Sequence, residues 1–396
     1  MSARASRNEY LVFGSPEIRE EEIEEVLATL RSAWIGTGPR VARFESDFRD
    51  YVGAGHAVAL NSCTAGLHLA MQGLGLGPED EVIVPAMTFA ATANAVVHAG
   101  GRPVLADVDR DTMCLTPEAV EAKLTPRTRA VVPVHFAGRP CEIEEIVALG
   151  DQAGLAIVED CAHAIETLVG GRHVGTFGDF GVFSFYVTKN VVTGEGGMVV
   201  TADEAAAARI KTLALHGLSA DAWSRFSDEG YKHYEVVEPG FKYNMMDLQA
   251  ALGVHQLARA EDNLQRRQEI WRRYDEAFAD LPLQTPAPEA PGTRHARHLY
   301  TVLLDLDRLS CTRDEVLLDL HRQNIGTGVH YRALHLHPYY REVNGHAHED
   351  LPNAEWISDR TVSLPLSPKL TDEDVTDVID ALQRTLAGDT ARRRSP

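Results

Sequence analysis

From residue 55 to about residue 215, short and nearly continuous apolar runs alternate with stretches whose apolar positions return every three or four residues. The runs HAVALNS, EVIVPA, RPVLADV, RAVVPVHFAG, LAIVEDC, FGVFSFY and GGMVVTA have the length and composition of strands buried on both faces. The periodic stretches between them lie around AGLHLAMQGL, FAATANAVVHA, TPEAVEAKL, EIEEIVALGDQ and EAAAARIKTLALH. This alternation predicts an α/β fold with a mostly parallel sheet sandwiched by helices. Upstream, Ser15 and Pro16 open EIREEEIEEVLATLRSAWI, which reads as a helix capped at Ser15. Its Ile18, Ile23, Val26, Leu27, Leu30 and Trp34 are expected to face the core, with the glutamates in water. Downstream of a turn-rich, aromatic-rich segment (217–244), DLQAALGVHQLARAEDNLQRRQEIWRRYDEAFADL predicts one long charged helix. LPLQTPAPEAPGTRHAR then reads as a loop, HLYTVLLDLD and TVSLPLS as strands, and RDEVLLDLHRQ and TDEDVTDVIDALQRTL as helices. The expected organisation is a large domain over 15–255 and a smaller α+β C-terminal domain over 256–396.

Composition narrows the partners. A net charge of −20 over 396 residues argues against nucleic acid or an anionic membrane surface, yet leaves room for a local phosphate site. Cys63, Cys114, Cys141, Cys161 and Cys311 are odd in number and form no CxxC pair, as expected of free thiols in a reducing compartment. No run has the length of a signal peptide or a membrane span, so a cytoplasmic protein is expected.

In parallel sheets ligands sit at the carboxyl ends of strands. Four such ends carry candidate chemistry. The most unusual is DFGVFSFYVTKNVVTGEGGMVV, where Lys189 closes an apolar strand just before Gly194-Glu195-Gly196-Gly197. A desolvated lysine loses its proton readily, and a neutral amine held in place can attack a carbonyl to form a Schiff base. The plainer reading is a snorkelling lysine over a glycine turn. Ser184, on the same strand, offers a hydroxyl that could serve a phosphate or simply bond to backbone. In NSCTAG, Thr64 and Ala65 stand where a helix start would favour a phosphate, although a Ser/Thr cap explains the pattern equally. In EDCAHA, Asp160 at the end of a buried strand needs a partner, which a protonated pyridine nitrogen or the next helix would supply. His163 follows it and could be an ordinary interior histidine. Phe89, after EVIVPAMT, could stack on a planar ring or pack in the core. His330, His335 and His337 in VHYRALHLHPYY could ligate zinc, but no zinc-site spacing accompanies them.

The order NSCTAG, TFAAT, EDCAHA, FSFYVTKNVVTGEGG and GFKYNMMD resembles the nucleotide-sugar aminotransferases of the DegT–StrS type. The resemblance extends from WIGTGP through HYRALHLHPYY to LPLSPKLTDEDV. It implies a fold-type I transferase dependent on pyridoxal 5′-phosphate. It further implies that Lys189 forms the Schiff base and moves the proton between cofactor and substrate carbons. Asp160 would pair with the pyridine nitrogen, and His163 would sit near the ring hydroxyl. Thr64, Ala65 and Ser184 would hold the phosphate, and Phe89 would stack on the ring. Asn244 would reach the phosphate of the neighbouring subunit's cofactor, so that the site is complete only in a homodimer. The implied reaction moves an amino group from glutamate to a keto group of a nucleotide-linked sugar. FKYN stands where many relatives have G-Y-N-x-R, and this variant is similar to the branch that aminates C4 of a 4-keto-6-deoxy sugar. A 3-keto sugar or a keto-inositol are alternative acceptors. A sugar dehydratase on the same fold would carry histidine at the position of Lys189. A desulfurase would need a better-placed cysteine than Cys311, and a DNA-binding regulator would need a basic patch.

Overall fold

The structure, a computed structural model, describes residues 7–219, 235–345 and 350–393. Up to residue 201 the described residues form nine strands. They are β1 (His56–Leu60), β2 (Glu81–Pro85), β3 (Arg102–Ala106), β4 (Thr128–Val131), β5 (Ala156–Asp160), β6 (Leu168–Val169), β7 (Arg172–His173), β8 (Phe180–Ser184) and β9 (Gly197–Thr201). All seven runs expected as strands form one seven-stranded sheet in the order β1-β9-β8-β5-β4-β2-β3. Strand β9 runs against both of its neighbours and the other pairings are parallel, so six strands point the same way. Alternate residues of β8 and β9 enter opposite cores. Val182 and Val199 pack on one face, while Phe183, Met198 and Val200 pack on the other. Such two-sided burial explains why these runs lack polar alternation.

Gly197 at the start of β9 shows what brings the sheet and its ligand edge together. A Cβ there would lie 2.5 Å from the backbone of Ser62 and Cys63, so only glycine allows this approach.

The second half builds a three-stranded sheet, β10 (Leu283–Gln284), β12 (Tyr300–Leu304) and β13 (Thr361–Leu364), in the order β10-β12-β13. The helices Ala260–Phe278, Arg313–Arg322 and Asp372–Arg393 surround a core of Ile270, Tyr274, Tyr300, Val302, Leu320 and Leu382. Leu11, near the N-terminus, joins this C-terminal core and bonds through its backbone to Asn324 and Gly326.

Four expectations need correction. The first helix spans Glu20–Arg31 rather than beginning at Pro16, and Ser15 does not cap it; the Ser15 carbonyl accepts from Ser367 instead. Its expected faces are reversed in part. Ile18, Ile23, Leu30 and Trp34 are exposed, while Glu22 is wholly buried in an ion pair with Arg259. The long charged helix is two helices, Asp247–Ala258 and Ala260–Phe278, divided at Arg259, whose ψ of 15° leaves the helical range. The first packs against the large sheet's core and the second against the small one, so one straight rod could not serve both. Finally, the proline-rich loop contributes β11 (Thr293–Arg294), which pairs with β6 in a separate three-stranded sheet of order β11-β6-β7. Part of the aromatic-rich segment, 220–234, lies outside the described residues.

Candidate active site

The carboxyl ends of β1, β2, β5 and β8 open on the same edge of the sheet, and each carries a residue singled out in the sequence. Lys189 lies in the turn that follows β8, its backbone N–H bonded to the Tyr186 carbonyl at 2.8 Å. Burial pushes its ammonium down to about 8, against the opposing pull of Cys63 and Asp160. The amine is therefore substantially neutral at mildly alkaline pH, the state in which it is a nucleophile.

Asp160 ends β5 and is buried. Its Oδ2 accepts from Thr92 Oγ1 at 2.8 Å, and Thr92 meets Thr88 Oγ1 at 2.8 Å. Its Oδ1 accepts from the Ala162 amide at 3.1 Å. Burial raises the carboxyl above the ordinary aspartate value, while Thr92, the Ala162 amide and Lys189 favour the ion. A protonated ring nitrogen would complete that set of partners.

His163 Nδ1 accepts from the Ala137 amide at 3.2 Å, so its proton sits on Nε2, which meets Tyr331 Oη at 3.1 Å. Burial first, then the nearby Lys189, His298 and His330, hold the ring well below its usual pKa and hence neutral. Phe89 caps the helix Ala90–His98 with its ring 63% exposed, a face available for stacking, and lies 6.2 Å from the Tyr331 ring.

The helix Cys63–Gly73 starts immediately beyond β1, with Ser62 as its cap. Ser62 Oγ accepts the Ala65 amide at 3.1 Å, so Ala65 marks the first turn without offering its own N–H. Thr64 is exposed beside it, and the first-turn amides project from the helix start as an anion would require. Ser184 faces Gly197 across the β8–β9 pair, and its Oγ accepts weakly from the Tyr186 amide at 3.4 Å. Asn244 forms an isolated bridge with Leu60, next to the same edge. Its Nδ2 donates to Thr37 Oγ1 at 2.6 Å, while its buried Oδ1 has no partner among the described residues. Asn244, Thr37 and Trp34 line a cavity of about 390 Å³.

The remaining candidates separate. His330 Nδ1 meets Ser363 Oγ at 2.9 Å, His335 is 3.8 Å from Glu355, and His337 precedes the helix Pro338–Asn344; among the described residues the three do not converge as a ligand set. A different group, His135, Glu159 and Cys161, has its potential ligand atoms within 4.8 Å of one another. Its lone pairs are already engaged. Glu159 accepts from the Gly175, Phe177 and Gly178 amides and from His135 Nε2, and His135 Nδ1 accepts from the Cys141 amide. This is a brace that fixes β5 one residue before Asp160. A cavity of about 490 Å³ beside Gly53 and Gly171 lies at the opposite, amino end of the sheet and is lined by none of the candidate catalytic or cofactor-binding residues.

Thr92, Tyr331 and His298 belong to this site and escaped sequence reasoning. Thr92 lies one turn beyond the noted Thr88-Phe89, which could have pointed to it. Tyr331 lies within VHYRALHLHPYY, a stretch read for its histidines alone, and His298 arrives from the C-terminal half with no local motif.

A buried carboxylate for a ring nitrogen, an exposed aromatic face, a helix start with hydroxyls for a phosphate and a lysine of lowered pKa together fit pyridoxal phosphate. Fold and site define a fold-type I pyridoxal phosphate enzyme. The chain matches the DegT/DnrJ/EryC1/StrS aminotransferase family over residues 16–383 and belongs to it. It is 49% identical over 384 residues to the spore coat polysaccharide biosynthesis protein SpsC of Bacillus subtilis, covering 96% of this chain and 98% of that one. The aminotransferase TlmJ of Streptoalloteichus hindustanus superposes with a TM-score of 0.87 at 36% identity, covering 96% and 99%. Spr1654 of Streptococcus pneumoniae, solved in its PLP form, gives 0.88 at 32% identity over the same shares. This is a pyridoxal-phosphate-dependent sugar aminotransferase. No helix among the described residues is long and apolar enough to cross a membrane.

Proposed function

We propose that this enzyme transfers an amino group from glutamate to C4 of a nucleotide-linked 4-keto-6-deoxy sugar. The observation that carries the reaction class is Lys189 beside Asp160, at the ends of the paired strands β8 and β5, with its amine held near pKa 8. When bound, pyridoxal phosphate supplies the electron sink that makes the substrate's α-proton labile. Lys189 Nζ would be the base that moves this proton between the cofactor and substrate carbons. Asp160 would pair with the ring nitrogen and keep it protonated, and Thr92 orients the carboxylate. His163 would sit near the ring hydroxyl with its Nε2 proton toward Tyr331 Oη, Phe89 would stack on the ring, and Ser184 with Thr64 and the first-turn amides would hold the phosphate. Ala65 defines that turn. The FKYN variant supports C4 as the aminated carbon, and the spore coat polysaccharide role of SpsC supports a sugar destined for a surface glycan.

The functional unit in this reading is a homodimer. Ile23, Leu30, Trp34 and Ile35 are exposed, Trp34 at the Asn244 cavity itself, and a second copy would cover them. The unpartnered Asn244 Oδ1 supports its assignment to a site completed by both subunits, as a carbonyl oxygen that awaits a donor.

Visible absorption tests the proposal. Glutamate alone is expected to bleach the band of the lysine-bound cofactor, and a thymidine-linked 4-keto-6-deoxy sugar to restore it. Restoration only by a 3-keto sugar or a keto-inositol would overturn the C4 assignment. No response to glutamate would overturn the donor.

A further inference from the structure

A buried relay behind Lys189 ends on a histidine whose lone pair has no taker among the described residues. Arg267 and Glu166, both almost fully buried, form an ion pair. Glu166 Oε2 accepts from Asn190 Nδ2 at 2.8 Å, and the same nitrogen donates to the Ala296 carbonyl at 3.1 Å. Both partners can only accept, so this end of the Asn190 amide must be the NH2 group, and Oδ1 points the other way. Oδ1 lies 3.0 Å from His298 Nδ1. An amide oxygen can only accept, which places the His298 proton on Nδ1 and leaves a lone pair on Nε2. Among the described residues the ring bonds to Asn190 through Nδ1, with no bond to Nε2.

The ring is held from two further directions. The His298 amide donates to the Ala137 carbonyl at 3.0 Å, and its imidazole stacks 4.5 Å from that of His163 with a 35° tilt. Asn190 is the residue directly after Lys189, so the amine and the His298 tautomer are set by one turn of chain. Burial, reinforced by Lys189, keeps His298 well below its usual pKa. The group is thus a neutral acceptor. It would meet a donor carboxylate lone pair to lone pair, but it suits a hydroxyl.

Resting on the sugar aminotransferase reading, we propose that His298 Nε2 accepts a hydrogen bond from a hydroxyl of the keto-sugar substrate, and that Asn190 fixes the tautomer that makes this possible. His298 is then a specificity-determining residue and Asn190 a positioning one.

Two measurements test this. In the holoenzyme labelled with ¹⁵N-histidine, His298 should show a protonated Nδ1 and an unprotonated Nε2; the opposite tautomer overturns the proposal whatever the variants do. Binding is then compared for a thymidine-diphosphate-linked 4-keto-6-deoxy sugar and its analogues lacking one ring hydroxyl each. His298→Leu should weaken binding of the parent sugar about tenfold and leave one deoxy analogue unaffected. His298→Gln, whose amide oxygen can stand near Nε2, should recover most of the loss. Equal weakening for every analogue would overturn the role of His298 alone. Failure of wild-type enzyme to bind any of these sugars would overturn the sugar-nucleotide reading and this inference with it.

Discussion

Lys189 shows how far a single residue's environment governs its chemistry. Its native pKa of about 8 lies below the ordinary lysine value of 10.5 because burial penalises the ammonium. The folded protein therefore holds that proton more weakly than the unfolded chain. Between those two values the unfolded state carries more protons, so this residue makes stability rise with pH across the interval and costs stability below it. Cofactor-free Lys189→Met is accordingly expected to be more stable than the cofactor-free wild type at pH 7, by about 1–2 kcal/mol after allowing for residual solvent. The gap should close as pH approaches 10.5, as followed by denaturant unfolding; a gap that ignores pH would contradict the desolvation account. The same residue was legible in the sequence because lysine at the end of an apolar strand is a local oddity. Asp160 was legible as a carboxylate at the end of a buried strand, and His163 only through the family resemblance. Thr92, Tyr331 and His298 were not, since a hydroxyl or an imidazole acquires its role only from the distant group it faces.

At the scale of elements, the helix Glu20–Arg31 was legible as a helix but not in its orientation. Its apolar periodicity predicted an inward stripe, yet Ile23 and Leu30 are outside and Glu22 is inside, where Arg259 and Gln256 bind it. Periodic apolar residues say that one face of a helix is to be covered, without saying whether the cover is the same chain or another. If a second copy covers it, Leu30→Asp should convert a dimer into monomers by analytical ultracentrifugation. Activity should fall in parallel, because the proposed site needs both subunits. A fully active monomeric variant would refute the shared site. The division of the long helix at Arg259 was likewise hidden. Nothing local in LARAED breaks a helix, and the break follows from two cores pulling on successive halves.

For the whole molecule, the histidines that line and support the site form a collective acid sensitivity. His163, His295 and His298 are all buried and held well below their usual pKa, chiefly by desolvation. Unfolding lets each take up a proton once pH falls below about 6.5, so stability drops on acidification. Urea unfolding is expected to show a loss of roughly 3 kcal/mol between pH 7 and pH 5.5 from these groups together. Replacing His295 by Leu should remove about a third of that slope; an unchanged slope would place the acid response elsewhere.

The sequence alone determined the seven strands, their mostly parallel association and the carboxyl-end edge that bears Lys189, Asp160, His163, Phe89 and Thr64. These follow from short-range rules: apolar run length, helical periodicity and the obligation of buried polar groups to find partners. Only the tertiary structure decided which face of the first helix stays outside, where the long helix divides and which nitrogen of His298 bonds to Asn190. Those depend on contacts between residues tens to hundreds of positions apart, such as Asn190 with His298 or Glu22 with Arg259. Such contacts leave no periodic trace along the chain.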